Sequence, residues 1–422
     1  MTRRPLAVLA IAAGLPCAAH AQVIDIPPGD LPGESWFIDN PGATINVLDT
    51  GVILPDADGG TFSFNGATVN LEAIGASGWD TIDSFVEDVA YVVNGGELVR
   101  TKFVAELGTT TLDILDGSVR SGLWLQGNTI ATMSGGTAGG VAGGQAAIIV
   151  EDEAAFMFSD GVIDTFIVIQ DDATFDMTGG TIEGGLQLND AVVATISGGR
   201  TGRDGFMSDV ECVLNLSAGI IGRDFVVEHG TVNMSGGTMG ENSGMLNSGG
   251  VDPVFTMTGG ALGSDFRAYD GTINISGGLI GDGFRLGRPT GDGSGATLNL
   301  TVKSAMLDGV PLALSEDPTE IAVRDGAFLS CVLLDDSIVG LDLNEVAVPG
   351  EDRIRAGATL TVALGESCVA DLDGDGELSL FDFLEFQNLF DGGDLAADFD
   401  GDGTLTLFDF LEFQNQFDAG CE

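Results

Sequence analysis

Residues 175–180 read Phe-Asp-Met-Thr-Gly-Gly, and the same phrase returns as Ala-Thr-Ile-Ser-Gly-Gly at 194–199 and Val-Asn-Met-Ser-Gly-Gly at 232–237. Apolar, polar, apolar, Ser/Thr is period-two alternation, which turns the apolar pair to one side of a strand. The glycines that follow supply the positive φ of a sharp corner. Further copies stand at 131–136, 255–260 and 273–278, with degenerate ones at 156–161 and 214–219. Their final glycines, from Gly136 to Gly278, lie on average about 20 residues apart, a period that points to a solenoid.

A second apolar patch follows each phrase: Leu186 and Leu188, Phe225 and Val227, Phe266 and Ala268, Phe284 and Leu286. Two or three short strands with corners then fill one coil. Stacking aligns Met177, Ile196, Leu216, Met234, Met257 and Ile275 in one interior column, and only the stack buries it. The fold predicted is mainly β, a parallel β-helix (β-solenoid) with coils of about 20 residues. Thr44–Val47, Thr68–Leu71 and 111–114 share the strand pattern without the glycine pair and are expected as first coils and cap. Beyond residue 300 the rhythm fades into further strands, with 359–362 as a last rung and a cap over the open end. The region resembles the repeats of bacterial surface and autotransporter-passenger proteins, a resemblance that implies fold rather than function.

The polar positions Asp176, Thr195, Asn215, Asn233, Thr256, Asn274 and Asn299 form a column of their own. It reads either as a surface for polysaccharide or a partner protein, or as a side-chain ladder bonded along the stack. His229 lies in a corner segment, so serine–histidine chemistry has little to build on. Arg203-Asp204 and Arg223-Asp224 read as surface pairs, and Arg267 and Arg285 fall in successive coils. A carbohydrate-active β-helix, lyase or glycoside hydrolase, is the alternative to a non-catalytic binding or structural rod.

The 422 residues carry 64 acidic and 15 basic side chains, a net charge of −49. Such a surface repels nucleic acid and anionic membrane, and suits divalent cations. Residues 1–21 read as a secretion signal, with Arg3 and Arg4 before an apolar run and Ala19-His20-Ala21 as the cleavage site. The protein is therefore expected to be secreted, extracellular or at the cell surface, and no later segment reads as a membrane span. Cys368 and Cys421 bracket the acidic tail and form the expected disulfide, whereas Cys212 and Cys331 read as buried thiols.

The tail, 368–422, follows a solenoid of 22–365 and writes one phrase twice. Asp371, Asp373, Asp375 and Asp382 stand at positions 1, 3, 5 and 12 of the first copy, with Gly376 at position 6. Asp398, Asp400, Asp402, Asp409 and Gly403 repeat this in the second. This is the spacing of a twelve-residue calcium loop. The carbonyls of Glu377 and Thr404 at position 7, and Ser379 and Thr406 acting through water at position 9, complete two hard-oxygen sites. Two Ca²⁺ ions are the expected cofactors. The tail holds 15 acidic residues and no Lys or Arg, so the cation is expected to fold the module. Phe383, Phe386 and Phe390, and Phe410, Phe413 and Phe417, offer two helical faces for a small core.

Aspartate at position 12, one helix per loop and the terminal Gly420-Cys421 pair resemble a dockerin of the Gly-Cys-ending bacterial type. That resemblance implies attachment to a cohesin-like or other surface scaffold protein. The family's partner-contacting positions fall on Leu380, Phe381, Leu407 and Phe408. Cellulosomal dockerins often carry polar side chains there, which leaves partner contact and core as two readings of these four residues.

Overall fold

A computed structural model describes residues 96–420 apart from 140–145, 247–248, 250, 290–294, 323–325, 345–351, 366–369 and 373–377. Before residue 96 it describes the backbone of seven short strands between Val23 and Val93. The expected signal, 1–21, and both cysteines of the expected disulfide, Cys368 and Cys421, lie outside the described residues.

The chain is mainly β, a parallel β-solenoid with coils of about 19 residues and about 9 turns, followed by two C-terminal helices. Each regular coil lays down three short strands, and each strand pairs in parallel with its counterpart one coil away. On the first face the register runs Met177↔Ile196↔Leu216↔Met234↔Met257↔Ile275, the interior column expected from the repeats. On the second, Met239 pairs with Ile221 and Leu262. The third runs Ile169↔Leu188↔Met207↔Val227↔Met245↔Ala268↔Leu286. These side chains are buried, and Phe156 with Phe175, and Phe266 with Phe284, stack along the interior at 5.8 and 6.2 Å. The early strands Val23–Ile26, Thr44–Val47 and Thr68–Leu71 join the first-face ladder in parallel, as the alternation predicts.

Each glycine of the pair has its own reason. The second takes φ of +75° at Gly180 and Gly199 and +93° at Gly278, a region that L side chains avoid. The first has a negative φ but no room: a Cβ on Gly179 or Gly198 would lie 2.1 Å from the carbonyl oxygen of Ser159 or Thr178 in the adjacent coil. Where this first glycine is replaced, by Asp160 or Ala218, the ladder shifts register at that point. The degenerate repeats are thus two of the places where the stack is locally irregular.

The remaining corners use left-handed aspartates that the repeat reading did not single out. Asp152, Asp171 and Asp190 have φ of +58° to +59° at one corner, and Asp204, Asp224, Asn242 and Asp265 have φ of +57° to +62° at another. Asp and Asn tolerate this conformation because their short polar side chains bond locally. The Asp171 carboxylate accepts from the Asp152 amide at 3.4 Å, and Asp190 from Asp171 at 3.3 Å.

The polar column of the first face is bonded along the stack in two stretches. Asn233 donates to Asn215 at 3.0 Å, Asn299 to Asn274 at 2.9 Å, and Thr361 to Asn299 at 2.8 Å. At the far end Ala296–Leu307 leaves the coil to pair antiparallel with Ala327–Leu333, which pairs antiparallel with Ile338–Leu343. The turn between those two strands reaches back onto the stack: the Asp335 carboxylate accepts from Gly278 N at 2.7 Å, and Ser337 Oγ donates to the Gly278 carbonyl. The chain then returns to lay Arg353–Ile354 on the third face and Thr359–Leu364 on the first, the expected last rung. Cys212 and Cys331 are free and buried, and burial pushes both thiols up to about 12.

Candidate metal centre

Two helices of equal length carry the tail, α1 (Leu380–Gly392) and α2 (Leu407–Ala419), with a single 3-10 turn at Leu395–Ala397 between them. Each begins because a hydroxyl residue caps it. Ser379 accepts from Phe381 N at 3.0 Å, and Thr406 accepts from Phe408 N at 3.1 Å. Asp382 and Asp409, three residues on, reach back to the Ser379 and Thr406 amides at 2.7 and 2.5 Å, closing reciprocal capping boxes. The spacing of Ser379 to Asp382 and Thr406 to Asp409 signals this in the sequence, where those residues were assigned only to metal positions 9 and 12.

The phenylalanine faces meet as expected. Phe386 and Phe413 stack at 4.5 Å with an interplanar angle of 15°, and both are buried. Phe399, inside the second acidic loop, packs edge-on against both rings, a contact the helical spacing did not reveal. The buried core of the tail is Ala370, Phe386, Ala397 and Phe413, so two rings hold the loops against the helices.

Asp398, Asp400 and Asp409 each offer a carboxylate oxygen, all within 4.8 Å of one another. Calcium holds oxygens at about 2.3–2.6 Å, so ligands of one ion lie within about 5 Å of each other, and the trio fits. Loop amides aim these groups: Gly403 N donates to Asp398 at 2.9 Å, and Asp402 N to Asp398 and Asp400 at 3.1 Å each. Gly403 takes φ of +82°, the bend foreseen at position 6. Asp402 stands apart from the trio, and its carboxylate accepts from Thr404 N at 2.8 Å and Thr404 Oγ1 at 2.6 Å.

The electrostatics ask for a cation. At Asp400 the Asp402 amide favours the charged form, but desolvation and the carboxylates of Asp402, Asp409 and Asp398 outweigh it and raise the carboxyl above its ordinary range. At Asp409 the bond from the Thr406 amide dominates and holds the carboxyl low. One member of the cluster is kept ionised by the backbone while its neighbour is pushed toward protonation.

In the first loop, Asp382 is buried and also accepts from Leu372 N at 2.8 Å. Asp373, Asp375, Gly376 and Glu377 lie outside the described residues. Leu380, Phe381, Leu407 and Phe408 are 69%, 65%, 68% and 67% exposed, which removes them from the core. No family model, curated protein or solved structure matches the chain. Among the described residues no helix is long and apolar enough to cross a membrane.

On the solenoid, His229 sits in a turn with Nδ1 2.6 Å from the Val251 carbonyl oxygen. Arg203 pairs with Asp204 at 3.2 Å and Arg223 with Asp224 at 3.4 Å, both on the surface as expected.

Proposed function

We propose that the chain is a secreted, non-catalytic rod attached to a cohesin-like or other surface scaffold through its C-terminal module, a dockerin-like unit folded by two Ca²⁺ ions. One observation carries the docking half of this reading: a leucine–phenylalanine pair stands exposed at the start of each helix, in equivalent positions of both repeats. Large apolar side chains repeated in this way on an acidic module, beside the exposed Leu384, Leu395 and Leu411, mark an interaction site. A groove of about 320 Å³ between the helices, lined by Phe383, Phe386, Phe390, Leu407 and Phe410, adjoins the second pair. Calcium enters because the capping aspartate Asp409 belongs to the ion cluster: neutralising the second loop fixes the helix start that presents Leu407 and Phe408.

The test is capture of a cohesin-type protein from the source envelope by the full chain. The expected result is retention with calcium, release by chelator, and loss in a variant carrying Leu380→Ser, Phe381→Ser, Leu407→Ser and Phe408→Ser. Retention that ignores both chelator and variant would contradict the reading.

A further inference from the structure

Five of the 15 basic residues gather at one end of the third face: Arg267, Arg285, Arg288, Arg353 and Arg355. Arg267, Arg285 and Arg353 are register partners on successive rungs, about 4.8 Å apart. Their neighbours Ala268, Leu286 and Ile354 are buried, so the arginines occupy the outward positions. The next outward positions carry Tyr269, Gly287 and Arg355. Solenoid packing does not require arginine here. The same column in earlier coils holds Lys102, Trp124, Ile149, Val168, Gln187, Phe206, Val226 and Gly244, so stacked arginines occur only at this end of the described column.

Within the stacked trio Arg267, Arg285 and Arg353, the ion pair falls on Arg285. Asp265 pairs with Arg285 at 2.5 Å and Asp270 with Arg288 at 2.7 Å. Arg267 donates instead to the neutral amide oxygen of Asn242 at 3.0 Å. Asn242 occupies the left-handed corner position that is aspartate in the neighbouring coils, at Asp204, Asp224 and Asp265. The one corner facing Arg267 has lost its charge. Arg353 keeps Nε and Nη2 buried with no acceptor among the described residues. The adjacent Asp352 carboxylate is taken up by the amides of Phe284 and Asp342. Stacked like charges repel, so a positive column on a protein of net charge −49 calls for an anionic ligand.

We propose that Arg267, Arg285 and Arg353, with Tyr269 and Arg355, form a binding site for a segment of acidic glycan bearing carboxylate or sulfate groups. Guanidinium forks match both anions bidentately, and Tyr269 offers a ring to a sugar face. The column spans only three rungs, about 10 Å, within an acidic surface. A sparsely charged glycan tolerates that setting better than duplex nucleic acid, with one charge per about 1.7 Å.

The experiment measures binding of the full chain to dextran sulfate and to hyaluronate oligosaccharides, with uncharged dextran and single-stranded DNA of equal charge as controls. At least one acidic glycan is expected to bind and uncharged dextran is not; which of the two binds tells sulfate from carboxylate. Arg267→Gln with Arg353→Gln should weaken binding about tenfold or more, and Arg200→Gln with Arg223→Gln should not. If the double variant fails to fold, Arg267→Gln alone decides, since Gln187 already occupies that column. Binding should persist in chelator, which separates this site from calcium-dependent docking. The proposal is overturned if neither glycan binds at about millimolar concentration, if the Arg267 variant binds unchanged, or if DNA binds as tightly through the same arginines.

Discussion

The solenoid and the tail solve the same problem by opposite means. The solenoid runs its apolar columns coil after coil, ties its outer face with Asn and Thr bonds, and closes the far end with antiparallel strands. Every added coil buries the one before it. Among its described residues the tail has four buried core residues, two capped helices and a cluster of carboxylates that repel one another. The solenoid places aspartates singly at left-handed corners, where they accept from neighbouring amides or pair with arginine. The tail concentrates them at Asp398, Asp400 and Asp409, a cluster that could bind a metal. One region is stable by accumulation; the other, on the proposed reading, draws its stability from a ligand.

The largest effect that would break this contrast is a core truncation in each region. Phe413→Ala and Phe255→Ala both remove fully buried rings, at a cost of about 3–5 kcal/mol each. In the tail this exceeds what a small core supplies, so the helical signal should vanish even with calcium present. In the solenoid the same loss should lower the thermal midpoint and leave the β signal. A smaller effect sharpens the tail's side. Asp409→Asn should remove the charge of a cluster ligand and one of the two oxygens that accept from Thr406 N and Asp400 N, weakening calcium uptake by about tenfold or more while the solenoid's melting stays fixed.

Smaller still are two changes confined to the solenoid. Asn299→Ala removes a rung that donates to Asn274 and accepts from Thr361, at about 1 kcal/mol, with no effect on calcium binding. Asp352 gives a pH signature. Desolvation, partly offset by bonds from Asp342 and Phe284, raises its carboxyl from the ordinary 3.8 to about 6. The folded chain therefore binds more protons than the unfolded one in that window. This group's contribution is fully present below 3.8 and is lost as pH rises through about 6. Thermal melts across that range should show a slope that Asp352→Asn flattens.

Much of this was legible in the repeats. Period-two alternation fixed which residues of the FDMTGG phrase point inward, and the glycine spacing fixed the coil length to within about a residue. The third strand of each coil was visible only as an apolar patch, and the corner aspartates looked like ordinary surface charge. Left-handed φ at Asp171 or Asp224 depends on where the coil must turn, which no local pattern states. The first glycine of each pair answers to a carbonyl in another coil, some 19 residues away, so its role emerged only from the stack. In the tail, loop spacing announced the carboxylates, but not that Asp402 would turn to Thr404 while Asp398, Asp400 and Asp409 converge. The exposure of Leu380, Phe381, Leu407 and Phe408 was undecidable from helical periodicity, because the apolar run continues through Phe383 and Leu384 to Phe386, of which only Phe386 is buried.

The most direct test is a calcium titration of the full chain followed by heat and by circular dichroism. The account predicts saturable uptake of two ions, with helical signal gained on binding and lost on chelation while the β signal holds. No heat of uptake at about millimolar calcium, or helices unchanged by chelator, would contradict it.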